Sequence, residues 1–363
     1  MPSLTVPLRE RAYTVHIEPG FSGLGPTLQG EGVRRVVVVT EPVVANLWLS
    51  TLISELEGAG ILVQHQVLAL TEATKTFDLW RECVEGLLEL GVDRRTVVVA
   101  LGGGVVGDVA GFAAASVLRG LRIVQVPTTL LAMVDSSVGG KTGINSTKGK
   151  NLIGAFHQPM LVWAPVCALQ TLEEAEYLAG FGEVIKIALV ADAALFAELE
   201  VHAAPLLERS PDALMAVIQR SVVLKAEIVA SDEKESGLRM VLNAGHTVAH
   251  GIEAASGFQW RHGAAVAVGL VAEARWAERQ GHAAGVVERL VPLLRRFQLP
   301  IDAPETRAES VLVAMRLDKK NADAMLIVPV PVEVGRAELI RHPISQLAEL
   351  IEGLSCVAFN PSC

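Results

Sequence analysis

Aromatic side chains are scarce in this chain of 363 residues, at 4%. A core of this size must then be filled by alanine, valine and leucine, and hydrophobic residues still reach 51%. Cysteine is rarer still, with four residues. Cys83, Cys167, Cys356 and Cys363 show no Cys-x-x-Cys spacing. That excludes a cysteine metal cluster or a redox dithiol, and suggests reduced thiols in a cytoplasmic protein. No apolar run is long enough to span a membrane, and Met1-Pro2-Ser3-Leu4-Thr5 has no signal-peptide layout. Basic charge is not in excess either. The formal net charge is -9, so the basic face that nucleic acid requires is missing. The expected partners are small molecules, with no nucleic acid and no membrane.

Lysine is the informative scarcity. Of 31 basic residues only nine are lysine, and Lys141, Lys148 and Lys150 fall within ten positions. Lys186, Lys225, Lys319 and Lys320 lie in other segments that carry candidate chemistry on separate grounds. Where arginine serves for surface charge, lysine marks a need for a compact, movable ammonium.

The first half alternates short apolar runs with helical stretches. Strands are expected at 35–40, 61–68, 96–101 and 123–126, and helices at about 44–59 and 77–90. This alternation predicts βαβ units and a mostly parallel sheet. From about Glu173 the spacing becomes helical: 175–189, 194–207, 211–232, 247–255 and 264–279, with a strand pair near 324–334. The expected fold is an α/β N-terminal domain over 1–170 with a Rossmann-like but non-standard sheet. An all-helical C-terminal domain follows over 171–363.

Leu101 ends a buried strand, and Gly102-Gly103-Gly104-Val105-Val106-Gly107-Asp108 follows, a G-x-G-x-x-G turn before a helix that Asp108 could cap. Such a turn suits a phosphate approaching backbone N–H groups. It is not the first βα unit, and the next strand runs into Pro127-Thr128-Thr129 instead of closing on an acid. The polar loop Thr71-Glu72-Ala73-Thr74-Lys75-Thr76 follows another strand, where cofactors bind in parallel sheets. The segment from Asp135 to Asn151 is rich in glycine, hydroxyls and ammoniums and predicts an anion-binding loop. Gly139-Gly140-Lys141-Thr142 imitates the end of a P-loop, but the preceding glycine is misplaced, which excludes ATP hydrolysis on that pattern.

Glu183 and Lys186 share one face of an otherwise apolar helix. A carboxylate carried into a core needs a cation or a metal beside it. His246 and His250 are one helical turn apart, and His262 follows after a break at Gly257. With Glu183 these are more ligands than a catalytic zinc requires. Spacing alone nominates His246 and His250 and leaves His262 open. Thr247 stands where a zinc protease has its glutamate, so that chemistry lacks a general base. Lys225, Arg239 and Asn243 add groups able to bind carboxylate or phosphate.

Together these segments resemble the 3-dehydroquinate synthase family through almost the whole chain. The segments that carry the resemblance are Gly102–Asp108, Leu118-Arg119-Gly120, 125–131, 135–145, 150–159, Glu183-Val184-Ile185-Lys186, Leu242–Thr247 and Asp318-Lys319-Lys320-Asn321. The resemblance implies a cytoplasmic homodimer with NAD and one zinc (or cobalt) in the cleft between the two domains. It implies conversion of the sugar phosphate 3-deoxy-D-arabino-heptulosonate 7-phosphate to 3-dehydroquinate, in the shikimate route to aromatic amino acids. The implied steps are transient oxidation by NAD, loss of phosphate, re-reduction, ring opening and an intramolecular aldol closure. Glu183, His246 and His262 become the metal ligands, and His250 moves to the substrate. Asp135, Lys141, Asn151, Lys186, Lys225, Arg239, Asn243 and Lys319 (or Lys320) join His250 there, with Arg119 reaching across the dimer. Glu72, Lys75, Gly104, Val105, Asp108, Thr128, Thr129, Lys141 and Lys150 take the NAD-side positions. The chain departs from the family at Glu41-Pro42-Val43, Gly182, Ala249 and Ala264. The rival readings are another sugar phosphate cyclase, a metal-dependent polyol dehydrogenase and a nucleotide-binding regulator.

Overall fold

The computed structural model describes residues 3–147, 149–235, 237–303, 306–318 and 325–354. They form two compact units: those up to 173 together with 211–233, and those of 174–210 together with the described residues from 234 onward.

The first unit is built on a seven-stranded sheet. Its strands are β1 (Leu4–Val6), β2 (Tyr13–Glu18), β3 (Arg35–Thr40), β4 (Leu62–Val67), β5 (Val97–Gly102), β6 (Arg122–Pro127) and, later in the chain, β9 (Leu161–Pro165). The spatial order is β1-β2-β9-β6-β5-β3-β4, and only the β1–β2 pair is antiparallel. The helices are α1 (Leu24–Gly30), α2 (Pro42–Val44), α3 (Ser50–Gly58), α4 (Phe77–Glu89) and α5 (Gly104–Ser116). The valine runs of β3 and β5 are buried on both faces, as parallel strands between helical layers must be. Val36, Val38, Val97 and Val99 face Leu24, Leu28, Leu52 and Leu56. Val37, Val39, Val98 and Ala100 face Leu79, Cys83, Val109 and Ala113 on the other side. Glu41 is a helix cap here: its carboxylate accepts from the N–H groups of Val43 and Val44 at 2.8 and 2.9 Å.

The lysine-rich segment is not an irregular loop. It folds as an antiparallel hairpin of β7 (Lys141–Ser146) and β8 (Gly149–Phe156), with Gly143 opposite Gly154. Thr142 and Ile144 alternate inward and are buried, and Ile144 joins the core around α5. That alternation within a glycine-rich segment supplies the strand period. Lys148 lies outside the described residues.

The second unit is helical: α6 (Glu174–Ala191), α7 (Ala193–Val201), α8 (Ala203–Leu207), α10 (His246–Ala255), α11 (His262–Arg279), α12 (Val286–Arg296) and α13 (Ala308–Asp318). A hairpin, β10 (Met325–Glu333) with β11 (Arg336–Pro343), extends the expected strand pair and qualifies the all-helical expectation. The first unit runs to Glu173 and resumes over 211–233, so the second unit is not continuous. Helix α9 (Pro211–Ser231) belongs to the first unit, because it packs on β1 and β2 and Lys225 reaches Asp135 there. Among the described residues no helix is long and apolar enough to cross a membrane.

Candidate active site

Helix α6 is almost wholly apolar and carries Glu183 into the core at 2% exposure. Lys186, one turn on, gives its carboxylate an ion pair. On the other oxygen, Oε1, stand Nε2 of His262 at 3.3 Å and Nε2 of His246 at 3.7 Å. One ligand atom from each of the three residues lies within 4.8 Å of the other two.

Both histidines open their helices. Gly245, at φ 78°, turns the chain so that His246 is the first residue of α10, and His262 begins α11. The positive end of a helix dipole favours a neutral imidazole, the form that binds metal. Gly263 sets His262 beside Glu183, since a Cβ there would stand 1.8 Å from the carbonyl oxygen of Ala179 on α6. Gly263→Ala should therefore push α11 from α6 and cost about 1–3 kcal/mol of overpacking strain. Urea unfolding of the variant measures this; an unchanged midpoint contradicts it.

The far ring nitrogens are held too. Nδ1 of His246 is 3.1 Å from the carbonyl oxygen of Ala244, and Nδ1 of His262 is 3.3 Å from Oε1 of Glu253. Each ring thus directs Nε2 at Glu183. His250 is not part of this group of ligand atoms, although its ring centroid is 5.5 Å from that of His246 and 6.3 Å from that of His262. Spacing nominates His246 with His250, whereas the ligand atoms that stand together with Glu183 are those of His246 and His262.

One carboxylate oxygen and two imidazole nitrogens are the donor set of a catalytic zinc with a fourth position open. Ligands bound at about 2.1 Å around a tetrahedral ion stand roughly 3.4 Å apart. The separations of 3.3 and 3.7 Å match that spacing, so these residues fit a divalent ion.

Without an ion the groups compete for protons. Burial, aided by the Lys186 ammonium, holds His246 well below the usual imidazole range. Burial pulls His262 the same way, but the hydrogen-bonded carboxylates of Glu183 and Glu253 outweigh it and raise its pKa to about 10. An ion needs the lone pair which that proton occupies. Metal uptake near neutral pH should therefore release about one proton, and affinity should rise roughly tenfold per pH unit up to the pKa of His262. Calorimetry in buffers of different ionisation enthalpy counts the proton; none released contradicts the assignment. The sign for folding is opposite. Protonated His262 stabilises the metal-free fold fully below its ordinary 6.5, and this contribution is lost as pH rises through about 10.

In the first unit a second polar cluster gathers near the carboxyl ends of the strands. Lys75, in the loop after β4, is 2% exposed and donates to Oδ2 of Asp108 and Oδ1 of Asn151, both at 2.5 Å. Asp108 therefore does not cap α5. It sits inside that helix, and Gly103 takes the cap position. Glu72 accepts from Asn145 at 2.8 Å and is 3.6 Å from the Lys150 ammonium, while Asn145 accepts from the N–H of Asn151 at 2.9 Å. The N–H of Thr128 donates to the carbonyl of Gly102 at 2.9 Å, which ties the strand ends together, and the side chain of Thr129 lies against Gly103 at the start of α5. Lys225 donates to the carbonyl and carboxylate oxygens of Asp135, each at 2.5 Å.

The remaining expected residues are more scattered. Lys141 begins β7 and is exposed. Arg119 is exposed in a left-handed backbone turn, at φ 66° after Leu118 at φ 50°. In the second unit Arg239 is 2% exposed, and Asn243 donates to Glu235 at 2.5 Å. Lys319 and Lys320 lie outside the described residues. Glu253, Glu235 and Asn145 were not singled out from sequence. Glu253 carried a usable signal: it is a carboxylate three positions after His250 in a helix of alanine, isoleucine and glycine.

Comparison with known proteins identifies the family. The pattern of the 3-dehydroquinate synthase N-terminal domain matches residues 65–179, and that of the C-terminal domain matches 180–321. The chain is 44% identical to the 3-dehydroquinate synthase of Geobacter metallireducens over 97% of this chain and 98% of that protein. It is 45% identical to that of Rhodospirillum rubrum over 93% and 91%. Among solved structures it is similar to ValA, a 2-epi-5-epi-valiolone synthase from Streptomyces hygroscopicus subsp. jinggangensis with NAD+ and Zn2+ bound. There the TM-score is 0.85 and the identity 28%, over 93% of this chain and 94% of that one. With near-complete coverage by these relatives and a match to both domain patterns, the chain belongs to the 3-dehydroquinate synthase family.

Proposed function

We propose that this enzyme converts 3-deoxy-D-arabino-heptulosonate 7-phosphate to 3-dehydroquinate and phosphate, using NAD and one divalent ion, zinc or cobalt. The observation that carries this is the Glu183–His246–His262 donor set, in a chain 44% identical to a 3-dehydroquinate synthase. The zinc and NAD+ bound to the similar ValA support the same cofactors here. The bound ion would polarise a substrate oxygen and NAD would take up and return a hydride, so no net oxidation occurs.

The chain's own residues supply binding and electrostatics. The substrate carries a phosphate and a carboxylate, and ammonium and guanidinium groups suit both. Lys186, Lys225 and Arg239 are all nearly buried, where each charge acts through little water. Asp135 holds the Lys225 ammonium in place, which lowers the cost of ordering it when an anion binds. We assign Lys141, Asn151, Asn243, His250 and Lys319 to the same substrate, and Arg119 to the partner subunit's site in a cytoplasmic homodimer. Glu72, Lys75, Gly104, Val105, Asp108, Thr128, Thr129, Lys141 and Lys150 are assigned to NAD.

The test is an assay of the purified protein with the heptulosonate phosphate, catalytic NAD and zinc, following phosphate and 3-dehydroquinate. Equal amounts of both, with NADH absent at the end, are expected. NADH accumulating in step with product would instead indicate a dehydrogenase, and no phosphate release would reject the assignment.

A further inference from the structure

Glu253 is 1% exposed within α10, two turns after His246. Burying a carboxylate in so apolar a helix is costly unless it has a specific use. Its backbone carbonyl closes the helix end by accepting from the N–H of Phe258 at 2.7 Å, which any residue in its place would do. The side chain does something else. Oε1 lies 3.3 Å from Nδ1 of His262, and Nε2 of the same ring faces Oε1 of Glu183 at 3.3 Å. A neutral imidazole has one proton to place. A carboxylate at Nδ1 keeps it there and leaves the lone pair on Nε2, toward Glu183 and His246.

We infer that Glu253 is a positioning residue that fixes the tautomer and aim of His262 for a divalent ion. It acts through His262 and is not itself a ligand. A carboxylate at the far nitrogen also makes the near one a stronger donor. His246 receives the same service from the backbone carbonyl of Ala244, which no side-chain substitution removes. Only the His262 half of the site can therefore be probed by mutation.

The inference rests on the metal site of the proposed function. Glu253→Gln keeps the shape and can donate its amide to Nδ1, favouring the wrong tautomer. Competition with a chelating indicator should show zinc affinity about 10–100-fold weaker in this variant than in the parent. Nitrogen-15 NMR of histidine-labelled, zinc-loaded parent should show His262 protonated at Nδ1 and metal-bound at Nε2. In Glu253→Gln that single-tautomer signature should be lost. Affinity within about twofold of the parent would overturn the inference, as would an Nδ1-bound His262; the parent spectrum decides even if the variant does not fold. Failure of the parent to bind any divalent ion would instead overturn the metal reading itself.

Discussion

His262→Ala protein, purified and dialysed against zinc-free buffer, should retain no stoichiometric metal, while His250→Ala should keep its full complement. The loss in affinity should exceed the roughly 10–100-fold typical of removing an outer-sphere partner, because a direct donor is gone. Turnover should fall in both variants, by at least about 10²–10³-fold for His262→Ala, the scale of losing one electrostatic stabiliser. The two differ in what restores them: excess zinc recovers part of the His262→Ala activity and none of the His250→Ala loss. Nε2 of His262 is 3.3 Å from Oε1 of Glu183, and among the described residues it is Glu183, His246 and His262, without His250, whose ligand atoms lie within 4.8 Å of one another. Metal analysis with the two results exchanged would overturn the ligand assignment.

Lys75→Met should be the most damaging single change in the first unit. Its ammonium is buried between Asp108 and Asn151, and removing it leaves a carboxylate with no cation at 2.5 Å. Breaking a buried pair from one side costs about 3–5 kcal/mol. The lower end applies, about 3 kcal/mol, because the side chain of Asp108 keeps 20% of its exposure. Urea unfolding should show this drop, and Lys75→Met with Asp108→Leu should recover most of it, since no charge is then stranded. A double variant no better than the single would mean that Lys75 matters for packing alone.

The sheet was legible because buried parallel strands leave a local mark. The valine runs at 35–40 and 96–101 have no polar face, and the structure pairs the two side by side as interior strands of the sheet. The helices around Glu183 and His246 were legible from their period. The hairpin at 141–156 was not, because its glycines and lysines mask the inward alternation of Thr142 and Ile144. Nor was the place of α9 in the first unit. Its helical pattern gives no sign of which core it covers, and that is settled by β1, β2 and Asp135, more than seventy positions away.

Chemistry and composition belong to the sequence alone: a ring-poor valine and alanine core, scarce and clustered lysines, one acid in an apolar helix and three histidines close together. Tertiary structure decided which of these meet. His246 and His250 share a helical face, yet the donor that joins His246 is His262, because Gly263 lets α11 cross α6 closely enough to bring it to Glu183. Glu253 gains its use only when α10 packs against the start of α11. Spacing along a chain reports neighbours within one helix. A metal site is set by distances of a few ångströms between helices, and only the packed core determines those.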